Sequence, residues 1–162
     1  MCEPARLLAL YRAVVEQGLG VGACAAQDDG ALLFVLDDIS FVLRNTAPAN
    51  PGLLDVAVYL HFEASACVKE EACRQVAQAV PCLRAWVDAD GDIVLNLQSI
   101  SGRLGMVPPP GVVKDLLPQA IDMLRYAVSQ VRDHVVLAGI LRATGESDKS
   151  SELPGEPNDH AA

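Results

Sequence analysis

The sequence predicts an α+β fold: an antiparallel sheet of about five strands with helices at both ends, in the order α-β-β-β-α-β-β-α. Three observations carry this reading. Apolar residues recur at helical spacing near the start, in the middle and towards the end of the chain. Between these stripes lie short apolar runs that alternate, or pair across turn residues, as strands do. Breaker-rich segments, TAPANPG and the stretch holding Pro108, Pro109 and Pro110, separate the elements.

The first helix opens at Pro4, where the missing N–H of proline costs nothing. Leu7, Leu8, Tyr11, Val14 and Val15 line one face, and Gly18 or Gly20 ends it. A turn follows at Gln27-Asp28-Asp29-Gly30. Leu32–Leu36 and Ile39–Leu43 then pair as a hairpin around Asp37-Asp38, with Leu36 opposite Ile39 and Phe34 opposite Phe41. Both faces of this hairpin are largely apolar, which predicts a sheet covered on both sides. After the Thr46–Gly52 loop, Leu54–Glu63 alternates strictly. Val56, Val58, Leu60 and Phe62 face one way; Ala57, Tyr59, His61 and Glu63 face the other.

A second helix follows Ser65 and stops before Pro81. Val68, Ala72, Cys73, Val76, Ala79 and Val80 face inward, while Lys69, Glu70, Glu71, Arg74 and Gln78 face solvent. The next segment, AWVDADGDIVLNLQ, places Asp88, Asp90 and Asp92 around one glycine. An EF-hand loop needs glycine at position 6 and a bidentate glutamate at position 12. Counted from Asp88, the glycine comes too early and the closing position is Ser99. A three-residue loop, Ala89-Asp90-Gly91, pairs Val87 with Ile93, Ala85 with Leu95 and Leu83 with Leu97, so every inward pair is apolar. Gly91 then occupies the left-handed position such a loop requires. The segment reads as a hairpin. After the Ser99–Gly111 loop, a long helix carries Val113, Leu116, Leu117, Ala120, Ile121, Leu124, Val128, Val131 and Val135 on one stripe. The stripe keeps its phase across Pro118, predicting one kinked helix rather than two.

At 162 residues and 51% hydrophobic composition, the chain fits one domain over residues 1–142, with a polar, disordered, acidic tail over 143–162. Aromatics supply 4%, so aliphatic residues and alanine must fill the core. A net charge of −9 disfavours nucleic acid and anionic membranes, because such binding draws on cationic contacts. Glu3, Arg6 and Arg12 interrupt the N-terminal apolar residues, unlike a signal peptide, and no apolar run reaches the length of a membrane span. Five cysteines without CxxC spacing argue for reduced thiols and a cytoplasmic setting.

No phosphate-binding glycine loop, nucleophile elbow or zinc-ligand spacing is present. His61, Glu63 and Cys67 could form a metal or acid–base cluster, but a surface histidine on a polar strand face explains His61 more simply. Cys67 and Cys73 could be a redox pair, yet neither adjoins an activating cation, and small thiols commonly fill cores. Asp28-Asp29 and Asp37-Asp38 read as turn residues. No catalytic, cofactor-binding or metal-ligating residue is assigned. What remains is surface. Arg84, Trp86 and Val94 share the face opposite Leu83, Ala85, Leu95 and Leu97, and Tyr59 and His61 extend it. These five residues are the candidate protein contacts, with Trp86 as an amphipathic anchor; the alternative is that Trp86 packs beneath its own chain.

The segment PCLRAWVDADGDIVLNLQSISGRLGMVPPPGVVKDLLPQAIDML, with LLFVLDDISFVL upstream, resembles the YbjN family of small bacterial proteins and, more broadly, the fold of type III secretion chaperones. The resemblance covers residues 4–138 through the pattern and order of elements. It implies an α+β fold and a non-enzymatic, protein-binding role: a YbjN-like regulator or, alternatively, a secretion chaperone. Type III chaperones are small, acidic, cytoplasmic homodimers that hold effectors through apolar patches. The Gln98–Val112 loop departs from their helix-flanking pattern. A small enzyme or ligand-binding domain is the competing class, and it would require a closed pocket with converging polar groups.

Overall fold

The computed structural model describes residues 3–103 and 105–148. Helix α1 (Glu3–Ala13) continues as a π-turn over Val14–Gly18. Strands β1 (Ala25–Ala26), β2 (Leu32–Leu36), β3 (Ile39–Leu43) and β4 (Leu53–Leu60) follow. Helix α2 (Ala66–Ala79) leads to β5 (Leu83–Val87), β6 (Ile93–Ile100) and the long helix α3 (Pro110–Asp148). The strands form one antiparallel sheet in the order β1-β2-β3-β4-β6-β5. The α+β architecture and the element order are those the sequence predicts, with one short strand added. That strand, β1, has two alanines and no alternation to betray it. It pairs with β2 across a turn closed by Gln27 N–H to Ala31 O, 2.8 Å, with Gly30 at φ +82°.

Both hairpins adopt the expected registers. Phe34 opposes Phe41 and Leu36 opposes Ile39, and the two phenyl rings stack with centroids 5.4 Å apart. Asp37 and Asp38 take positive φ, 51° and 60°, the conformation a two-residue hairpin loop requires and aspartate tolerates. In the second hairpin Val87 opposes Ile93, Ala85 opposes Leu95 and Leu83 opposes Leu97. Gly91 sits at φ +84°.

One face of the sheet carries the core. Phe34, Phe41, Val56, Val58, Leu95 and Leu97 form a single cluster with Leu7 and Tyr11 of α1, Val76 of α2, and Leu117, Ile121 and Leu124 of α3. Burying a side chain of this size contributes roughly 1.5–3 kcal/mol. α3 passes through Pro118 without interruption. Gly52 allows the loop after β6 to close over the start of β4: a Cβ there would stand 2.5 Å from the Arg103 carbonyl oxygen.

The structure corrects several expectations. The opposite, outer face of the sheet is not covered by any helix among the described residues. Leu33 and Val42 are half-buried there and Val35 is 56% exposed, so the β2–β3 hairpin is covered on one side only. β4 ends at Leu60, leaving His61 and Glu63 beyond the strand. Lys69, expected outside, is buried, and Ala79, expected inside, is exposed. Residues 143–148 of the expected tail belong to α3, and residues 149–162 lie outside the described residues.

Candidate protein-contact face

Register alone assembles the outer face. Trp86 pairs with Val94, which pairs with Tyr59, so the three side chains cross β5, β6 and β4 in one row. The next row runs Arg84, Asn96, Ala57, Val42, Leu33. Trp86 and Tyr59 are 39% and 43% exposed, whereas Val94 between them is fully buried. Val94 is therefore floor rather than contact, because two large aromatic neighbours on flanking strands shield a β-branched residue. Arg84 is exposed.

His61 lies just past the paired strand residues. It follows β4, and its Nδ1 lies 2.7 Å from Asp92 Oδ1, tying the end of β4 to the β5–β6 turn. Its side chain stays open to solvent. The cluster imagined for His61, Glu63 and Cys67 does not assemble, and among the described residues no group of three or more His, Cys, Asp or Glu could hold a metal ion. Asp88 Oδ1 instead accepts from the backbone N–H of Asp90 and Asp92, at 3.0 and 2.9 Å. Cys67 is exposed and Cys73 buried, both free. Burial and the nearby Glu70 push the Cys73 thiol up, away from the reactive thiolate.

Beside the aromatic row lies a polar group that periodicity alone did not single out. Asp55 is 5% exposed although it faces the outer side. Its carboxylate accepts from Asn96 Nδ2 at 2.7 Å and from Gln98 Nε2 at 2.8 Å, and Arg44 Nη1 stands 3.7 Å away. Arg44 also donates to the Tyr59 hydroxyl, 2.8 Å. A buried carboxylate is tolerated when its oxygens are bonded and a cation stands near. The signal was present as Asp55 inside LLDVAVYL and Asn96 and Gln98 inside VLNLQ. Uniting them requires knowing that β4 lies beside β6, a neighbour reached only after α2. Chemically the network has donors and acceptors already satisfied by one another, so it stiffens the face and orients Tyr59.

No protein-family model matches the chain. No curated protein matches it either. Among solved structures, a chain of the HopA1–SchA chaperone–effector complex is similar, with TM-score 0.51 and 12% identity over 77% of this chain and 95% of that one. A chain from the crystal structure of the Yersinia pestis type III secretion chaperone SycH in complex with a stable fragment of YscM2 gives TM-score 0.43 and 15% identity, over 74% and 98%. The first likeness establishes a shared fold.

Proposed function

We propose that this chain is a chaperone-like, non-enzymatic protein that holds a polypeptide partner, of the kind that keeps a secretion effector in the cytoplasm. The observation that carries the reading is the open outer face, where exposed Trp86 and Tyr59 stand over a buried floor and a satisfied polar network. Aromatic side chains on a stiff surface contribute large contact area at low entropic cost. The fold shared with a chaperone–effector complex supports the same direction. The regulatory role implied by the YbjN resemblance would use the same kind of contact, but the comparisons favour the chaperone reading. Self-association into a dimer belongs to the proposal, since an open apolar surface of this kind commonly marks an interface. No helix among the described residues is long and apolar enough to cross a membrane.

The test is affinity purification of the chain from the cells that make it, beside Trp86→Ala, with sedimentation of both. The reading expects a specific polypeptide, or a second copy, bound to the wild type and lost from a variant that remains folded. A wild type that sediments as a bare monomer and captures nothing contradicts it.

A further inference from the structure

A recess of about 520 Å³ opens on the outer face between the β1–β2 turn and Tyr59. Its floor is the cross-strand pair Leu33 and Val42, which no helix among the described residues covers. The surface dips here because alanines flank the pair in the same row: Ala25 opposes Leu33 and Ala57 opposes Val42. Tyr59, held by Arg44, forms one wall. The turn forms the other and carries Asp28 and Asp29, both exposed. Asp29 Oδ1 accepts from Ala31 N–H at 2.9 Å, which sets the turn. Arg44 lies within reach of Asp55, so its charge is already balanced and the rim stays net negative.

We infer that this recess takes a cationic side chain, lysine or arginine, of the bound polypeptide. The inference rests on the protein-holding reading above and specifies the chemistry of what is held. An aliphatic stem covers Leu33 and Val42 while its charged head reaches the aspartates, the division of labour that long basic side chains make at apolar surfaces. The Tyr59 ring adds an aromatic wall that attracts a cation. An acidic side chain meets like charge there, and a short apolar one leaves the rim unsatisfied.

The experiment titrates the isotope-labelled chain, followed by NMR, with acetyl-Val-Arg-Val-amide and with its citrulline analogue, which keeps the shape and loses the charge. The arginine peptide is expected to move the amide signals of Asp28, Leu33 and Val42 with millimolar affinity, about two- to fivefold tighter than the citrulline peptide. In the double variant Asp28→Asn, Asp29→Asn the two peptides should bind alike, since asparagine keeps the oxygen that sets the turn and removes the charge. Equal affinities in the wild type, or no movement of those signals, overturn the proposal. A partner lost on Trp86→Ala but indifferent to the double variant removes the recess from the account and leaves the protein-holding reading intact. A charge-selective recess in a chain that captures no polypeptide overturns the protein-holding reading, and the occupant named here with it.

Discussion

Tyr11 is the largest side chain in the core and shows how one buried hydroxyl sets a pH limit. Burial pushes its phenol up to about 12; a hydrogen bond with Thr46 pulls the other way and the Asp55 charge adds to the rise. An unfolded tyrosine ionises near pH 10. Between pH 10 and about 12 the unfolded chain therefore binds fewer protons than the folded one, so this contribution is complete below pH 10 and is lost as pH rises. Tyr11→Phe should remove about 2 kcal/mol of alkaline decline, read as the difference between the urea stability curves of wild type and variant. Parallel curves would show that the phenol does not titrate as its burial requires. Gly91 is a second position where a single residue decides. At φ +84° a β-branched side chain is strained, so Gly91→Val should cost about 1 kcal/mol or more in a denaturant melt. An unchanged midpoint would mean the turn has another conformation.

At the scale of elements, the β5–β6 hairpin is braced from two sides. His61 reaches Asp92 from the end of β4, and the buried Lys69 donates from α2 to the Gly91 carbonyl at 2.7 Å. Lys69→Met keeps the aliphatic stem and deletes the donor. Hydrogen exchange at the Gly91 and Asp92 amides should speed up by about tenfold, the equivalent of about 1.4 kcal/mol of local opening, while exchange in β2 and β3 stays unchanged. Uniform acceleration across the sheet would argue for a general packing role instead. Asp88 is committed to the backbone and Asp92 to His61, so thermal melts with calcium and with chelator should superimpose. A shift of several degrees would reveal a bound ion.

The same elements show what a linear reading can reach. Hairpin registers were legible because a one-residue slip would have mixed apolar and polar faces, and because Asp37-Asp38 and Gly91 mark where the chain can reverse. The stripe of α3 was legible across Pro118 for a similar reason. Lys69 was not, because helical periodicity assigns a charge to solvent and cannot know that a carbonyl waits on a neighbouring turn. The Asp55 network was not, because it depends on β4 and β6 being neighbours. Of the five candidate contacts, Trp86, Tyr59 and Arg84 are exposed on one face, Val94 lies beneath it, and His61 is exposed just past β4 and pairs with Asp92.

On the scale of the whole molecule, α1, α2 and α3 join the core on one side of the sheet, and no helix among the described residues packs on the other. With a net charge of −9, the chain attracts basic partners and repels its acidic neighbours, which bears on encounter rate and selectivity more than on final affinity. In the proposed protein-holding role, affinity comes from the apolar and aromatic side chains of the outer face. The most direct measurement of that claim places a photocrosslinking amino acid at Tyr59 in one variant and at Glu70, on the exposed side of α2, in another. Both are irradiated in the cells that make the protein. The account predicts a discrete polypeptide adduct from Tyr59 and none from Glu70. Adducts at Glu70 alone, or at neither position, would contradict it.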